Sequence, residues 1–190
     1  MKRLAIVLII MACCSHAMAE PPAAATAGTQ PAQDAAAAPK QTGALVAGQF
    51  GDWSLVCPET EDKTKPASCR LVQRLVEAKS KKTVFHLAVG YGPRGNLILV
   101  VRAPLGIALA KGLEFSLGDQ TIHRAAFSTC RPDGCQAVLI LPNELRQQMR
   151  KAEQAWLTAY GLSGKPFQTA ASLKGFADGL SALDKRRGPS

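Results

Sequence analysis

A chain of 190 residues, 47% apolar and 19% charged, has the length of one domain of ordinary size. Its formal net charge of +9 favours an anionic partner such as phospholipid, lipopolysaccharide or acidic glycan, or else serves only to keep a basic surface solvated. Nucleic acid is excluded as a partner: the basic residues are dispersed, and no aromatic interleaves with Lys79-Ser-Lys-Lys82 or Lys185-Arg-Arg187 as base stacking requires.

Residues 1–19 read as a secretory signal. Lys2 and Arg3 form the positive end, residues 4–11 (LAIVLIIM) the apolar run, and Ala17-Met18-Ala19 an A-x-A cleavage site. The run is too short for a stop-transfer span. A periplasmic or secreted product beginning at Glu20 is therefore expected. The alternative is a degenerate lipoprotein signal, Ile10-Met-Ala-Cys13, in which a lipidated Cys13 anchors the chain to a membrane; Met11 fits that pattern poorly. Residues 20–48 are almost wholly Ala, Pro, Thr, Gln and Gly, with too little bulky apolar surface to offset the entropy of ordering. They are expected to form a disordered linker.

Four cysteines follow the leader: Cys57, Cys69, Cys130 and Cys135. An even number in an exported chain reads as disulfides. Three pairings are open, and the local one, Cys57–Cys69 with Cys130–Cys135, asks least of the fold. Zinc ligands usually pair at a spacing of roughly two to four residues, which Cys57 and Cys69 do not have. The Cys-x-x-Cys of a redox site is absent.

The folded part is expected over residues 49–184. Trp53, Leu55 and Cys57 fall on one face of a strand, with Ser54 and Val56 on the other. Residues 69–77 mix Leu71, Val72, Leu75 and Val76 with Arg70, Gln73 and Arg74, and strand is the reading. A basic turn, residues 79–82, leads to a run in which Phe85, Leu87 and Val89 alternate with Val84, His86 and Ala88. Gly90-Tyr-Gly-Pro-Arg-Gly95 formally matches G-x-G-x-x-G, but a strand rather than a helix follows it, so the glycines belong to a hairpin turn and not to a nucleotide site. The apolar runs 96–102 and 136–141 are the core strands around which the domain is organised. Short runs with turns between them point to a sandwich.

Pro142-Asn143 ends the β region and opens a short helix, with Asn143 as its cap, Leu145 and Met149 on one face, and Arg146, Arg150 and Lys151 polar. Residues 156–160 and 167–170 return to the sheet. Ser172 then caps a second helix whose stripe is Leu173, Phe176, Ala177, Leu180 and Leu183. Gly175 and Gly179 inside it mean either a weak helix or close packing on the sheet. Residues 185–190 form a basic tail. The fold class is mainly β: a single antiparallel β-sandwich-like domain with one or two short helices near the C-terminus.

The ordered set Gly51-Asp-Trp53, Cys57, Cys69, Pro104-Leu-Gly-Ile107 with Gly112, Cys130-x-x-x-Gly134-Cys135 and Ser172-Leu-Lys-Gly-Phe176 resembles the invasion-associated locus B family, across about residues 50–183. The resemblance implies an exported bacterial protein with a compact β-rich domain in the periplasm or envelope. It supplies no catalytic residues, and a virulence association of the family's namesake does not transfer as a function.

No chemistry announces itself in the residues. His86 and His123 are each more simply surface or hydrogen-bonded residues than a base or a ligand, and no metal-ligand spacing is visible. Gly161-Leu-Ser-Gly164 lacks the spacing of a nucleophile elbow. Glu59, Glu61 and Asp62 share one polar loop and are most simply solvated. The expectation is therefore a non-enzymatic envelope binding module without catalytic residues, metal or cofactor. Its partner would be an envelope protein or an anionic envelope component. Lys79, Lys81 and Lys82, and Arg146, Arg150 and Lys151, are the candidate contact clusters. The alternative is a hydrolase-like enzyme with a dispersed site around His86 or His123, which a histidine beside a carboxylate in a pocket would favour.

Overall fold

The computed structural model describes residues 44–59, 68–77, 80–118 and 121–187. The leader, Cys13, the linker up to residue 43, Glu61, Asp62, Lys79, Asp119 and residues 188–190 of the tail lie outside them. In chain order the strands are β1 (Ala44–Phe50), β2 (Trp53–Pro58), β3 (Arg70–Val76), β4 (Thr83–Tyr91) and β5 (Leu97–Ala103). A single 3-10 turn, Leu109–Lys111, precedes β6 (Leu113–Ser116), β7 (His123–Ala125), β8 (Phe127–Arg131) and β9 (Gly134–Ile140). Helix α1 (Asn143–Lys151), β10 (Gln154–Tyr160), β11 (Pro166–Ser172) and α2 (Phe176–Arg186) complete the domain.

Seven strands pair in the order β1-β2-β3-β4-β5-β9-β8, and four pair as β11-β10-β6-β7. The two apolar runs expected to organise the domain become neighbours: β5 and β9 pair antiparallel from Ile98 opposite Ile140 to Ala103 opposite Cys135. The chain leaves the large sheet after β5, builds half of the small one, and returns at Ala126 between β7 and β8.

Alternation explains which face is buried. Leu71, Gln73 and Leu75 of β3, Phe85, Leu87 and Val89 of β4, and Leu97, Leu99 and Val101 of β5 all point into the core. Each large apolar side chain so buried contributes about 1.5–3 kcal/mol. The small sheet covers part of this inner face, with the ring of Phe167 stacked on Phe85 at 5.6 Å. Helix α2 covers β2 and β3: Phe176 meets Trp53 at 5.2 Å between ring centroids. Gly179 lies against the buried side chain of Leu71, where a Cβ would stand 2.6 Å from Cδ1. Close packing is thus the reason for a glycine inside α2.

The structure corrects several boundaries. Residues 44–48, expected as linker, belong to strand β1, because residues 44–50 find an edge position against β2, from Ala44 opposite Pro58 to Phe50 opposite Trp53. Asn143 is the first helical residue of α1. The cap position is Pro142, whose carbonyl accepts the N–H of Arg146 at 3.0 Å. Ser172 ends β11 instead of capping α2, and its hydroxyl accepts the N–H of Lys174 at 3.2 Å. The residue before α2 is Gly175, which therefore lies outside the helix, at φ 81°.

Candidate functional site

The outer face of the large sheet, turned away from the small one, carries the residues that alternate with the core. Strand register places Arg74 opposite His86, His86 opposite Arg102 and Arg102 opposite Gln136, in one row across β3, β4, β5 and β9. Beside it runs an apolar row, Val72 opposite Ala88, Ala88 opposite Val100, and Val100 opposite Val138. A third row adds Ile98 and Ile140, and Val56 stands opposite Arg70. Residues two apart on a strand stand about 7 Å apart, so the charged row and the apolar row are close enough for the head and the first carbons of one amphiphile to touch both.

Three shallow hollows mark this face and share their walls. One of about 440 Å³ is bounded by Val56, Arg70, Val72, Arg74, His86 and Ala88. A second, about 480 Å³, shares Arg70 and Ala88 and continues over Val100 and Val138. A third, about 330 Å³, shares His86 and reaches Arg102, Leu105 and Asp133. Together they make a furrow with an apolar floor and cationic edges.

Electrostatics within the furrow follow from its charges. Half burial lowers the pKa of His86 below 6.5, and the positive charges of Arg102 and then Arg74 lower it further. Its imidazole is therefore neutral at pH 7. Asp133 holds Arg102, with Oδ2 2.8 Å from Nη1, and both side chains are partly exposed. Such a pair contributes little to stability and its carboxylate is displaceable.

The other expected residues are scattered. His123 lines a separate hollow of about 230 Å³ with Thr121, Glu144 and Gln148. A histidine and a carboxylate do share a pocket there. Among the described residues, however, no hydrogen bond joins them, and His123 instead lies against Phe115 at 6.5 Å between rings. Of the first basic cluster, Lys81 and Lys82 sit exposed in the β3–β4 turn, and Lys79 lies outside the described residues. Arg146, Arg150 and Lys151 are on α1, which starts beside the other end of β5 through the Leu141 N–H to Leu97 carbonyl bond at 2.9 Å. The nine residues of β4 separate those two ends by roughly 30 Å. The two clusters do not form one patch.

Arg150 is engaged in docking the helices. It donates to the Ala177 carbonyl and the Ser181 hydroxyl of α2, each at 3.2 Å, and stands 3.6 Å from Asp184. Asp184 in turn accepts the hydroxyl of Tyr91, whose pKa is raised by burial and then by this bond. Among the described residues no group of three or more His, Cys, Asp or Glu is placed to hold a metal ion. No helix of these residues is long and apolar enough to cross a membrane.

The family model described as invasion associated locus B (IalB) protein matches residues 53–184, well over half of the chain. The chain belongs to the IalB family. It is 28% identical over 140 residues to invasion protein B homologs of Brucella abortus strains 2308 and 9-941, covering 72% of this chain and 79% of each relative. The crystal structure of invasion associated protein b from Bartonella henselae superposes with a TM-score of 0.63 at 18% identity, over 73% of this chain and 95% of that one. The shared fold is thus the two-sheet sandwich.

The motifs that mark the IalB resemblance turn out to be joints. Trp53 Nε1 donates to the Ser172 carbonyl at 2.9 Å, and the buried Gln73 amide donates to the same oxygen at 3.0 Å. Asp52 N–H meets the Lys174 carbonyl at 3.2 Å, so the turn before β2 clasps the turn before α2. Both cysteine pairs form disulfides in the local pairing: Cys57–Cys69 joins β2 to β3, and Cys130–Cys135 joins β8 to β9. In this chain those residues hold the elements together. Its outer-face arginines were missed in the sequence because Arg70, Arg74 and Arg102 read as ordinary polar positions. The alternation Arg70-x-Val72-x-Arg74 was the available signal.

Proposed function

We propose that this IalB protein is an exported, non-enzymatic envelope module that binds an anionic amphiphile in the furrow on the outer face of its large sheet. The observation that carries the reading is the juxtaposition of the Arg74–His86–Arg102 row with the Val72–Ala88–Val100–Val138 row. Guanidinium groups take the anionic head by charge-assisted hydrogen bonds, and the apolar row takes the hydrocarbon body. Neutral His86 adds a hydrogen-bonding edge without a third fixed charge. The signal-like leader and the two disulfides support an oxidising compartment, the periplasm or beyond. The relatives are named invasion proteins rather than enzymes, and invasion enters here only as a setting, the envelope that meets a host cell.

Calorimetric titration with dodecyl phosphate, below its micelle concentration, tests the reading. Binding should be saturable, and inorganic phosphate or dodecyl maltoside alone should bind far more weakly. Losing a hydrogen bond to a charged group costs about 1.5–3 kcal/mol, so Arg74→Gln should weaken binding about tenfold or more. Asp133→Asn should tighten it by releasing Arg102. Equal affinities for wild type, Arg74→Gln and Val138→Asp would refute the site.

A further inference from the structure

The end of the sandwich away from α1 presents apolar side chains on turns. Leu105, on the segment leaving β5, is 55% exposed, Leu109 on the 3-10 turn 47%, and Leu162 in the β10–β11 turn 79%. Ile107 bridges Gly161, and the Ala108 N–H meets the Tyr160 carbonyl at 2.8 Å, so the two segments are held side by side. The β3–β4 turn lies at the same end, since Thr83 and Leu105 line one hollow.

Lysines surround these leucines. Lys81, Lys82, Lys111 and Lys165 are all exposed, and the ammonium of Lys111 lies 5.8 Å over the Tyr160 ring. Among the described residues, Asp133 is paired with Arg102 and Glu114 with Arg124, while Glu77 accepts the Ser80 hydroxyl and offsets one of the lysine charges. The result is an end of the domain whose turns carry both exposed leucines and exposed lysines.

We infer that this end docks on the surface of an anionic phospholipid bilayer. Leucines on separate tight turns give little continuous flat area for a protein partner, which usually needs on the order of 1,200 Å² in total. They suit shallow insertion at the boundary of headgroups and acyl chains. The lysines around them extend their stems along that boundary and meet lipid phosphates. Both contributions point the same way, and of these residues only Leu105 also borders the furrow, at its third hollow.

The test is sedimentation of the full chain, isolated from cells, with vesicles of phosphatidylglycerol and phosphatidylcholine or of phosphatidylcholine alone. Wild type should favour the anionic vesicles and lose binding as salt rises. The variant Leu105→Ser, Leu109→Ser, Leu162→Ser should lose about tenfold or more in partition, as should Lys81→Gln, Lys82→Gln, Lys111→Gln, Lys165→Gln. Unchanged thermal unfolding of both would show an intact fold. Emission from Leu162→Trp should shift to the blue on anionic vesicles. Val100→Ser with Val138→Ser, which alters the furrow floor without changing charge, should leave vesicle binding unaltered, which separates this surface from the furrow. The inference is overturned by absent wild-type binding, by full binding of the leucine variant, or by loss confined to the two-valine variant. Equal binding to both vesicle types, as a lipidated Cys13 would give, also overturns it.

Discussion

Gly175 and Gly164 share a left-handed backbone, at φ 81° and 76°, and differ in what faces them. A Cβ at Gly175 would stand 2.2 Å from the Phe50 carbonyl oxygen, whereas nothing lies within 4 Å of one at Gly164. Alanine at Gly164 meets only the intrinsic penalty of a positive φ, about 1 kcal/mol. Alanine at Gly175 must also push apart the clasp between the turns before β2 and α2, and should cost about 3 kcal/mol. Urea unfolding of both variants checks this; similar losses would mean that the clasp is soft. The glycines of this region were visible in the sequence, but their roles were only half legible. Gly179 does pack closely, as one of its two readings held. Gly175 was placed inside the helix because nothing local reveals that β1 and β2 press their turn against that point. Gln73 shows the same limit: its alternation with Leu71 and Leu75 assigns it to the buried face, yet its carbonyl partner Ser172 lies 99 residues away.

The disulfides act between elements. Cys57–Cys69 closes a loop of sequence separation 12 between β2 and β3, and Cys130–Cys135 closes a separation of 5 between β8 and β9. By the chain-entropy argument, replacing the first pair by alanine should cost about 3 kcal/mol and the second about 2 kcal/mol. Denaturant midpoints of the two double variants should rank in that order. A larger loss for the second pair would show that the edge strand β8 depends on its staple for more than entropy. Strands β2 to β5 and β9 were legible because each alternates cleanly or forms a bulky apolar run. β1 was not: Ala44-Leu-Val-Ala-Gly-Gln-Phe50 lacks an alternating pattern and continues the Ala/Gly/Gln run before it, with only Leu45, Val46 and Phe50 as bulky apolar residues, and it is held as a strand by its pairing with β2. The cap of α1 shifted by one residue because Pro142 already holds the extended geometry that an N-cap needs.

At the scale of the whole molecule, the furrow draws on five strands, β2, β3, β4, β5 and β9, that are neighbours only after folding. A single sequence marks which residues of a strand face outward, but not which strand lies beside which. Arg74 and Arg102 are 28 positions apart and meet across His86 through the register of β3, β4 and β5. The basic turn cluster and the α1 cluster, which stand out in the sequence, are placed at opposite ends of the sheet. Charge density along the chain was therefore a poor guide to charge density in space. The family signature was legible for a different reason, since it is an ordered set of residues along the chain and needs no knowledge of which strands are neighbours.

The most direct measurement is a nuclear magnetic resonance titration of the isotope-labelled chain with dodecyl phosphate, following backbone shifts and the His86 ring together. In the free protein His86 should titrate below 6.5, because burial, Arg102 and Arg74 all disfavour its cation. A phosphate head seated on the arginines opposes their charge, so ligand should move that midpoint upward. Backbone shifts should concentrate at Val72, Ala88, Val100 and Val138. A His86 midpoint that does not move with ligand, or shifts confined to His123 and Glu144, would contradict the assignment of the outer face as the working surface.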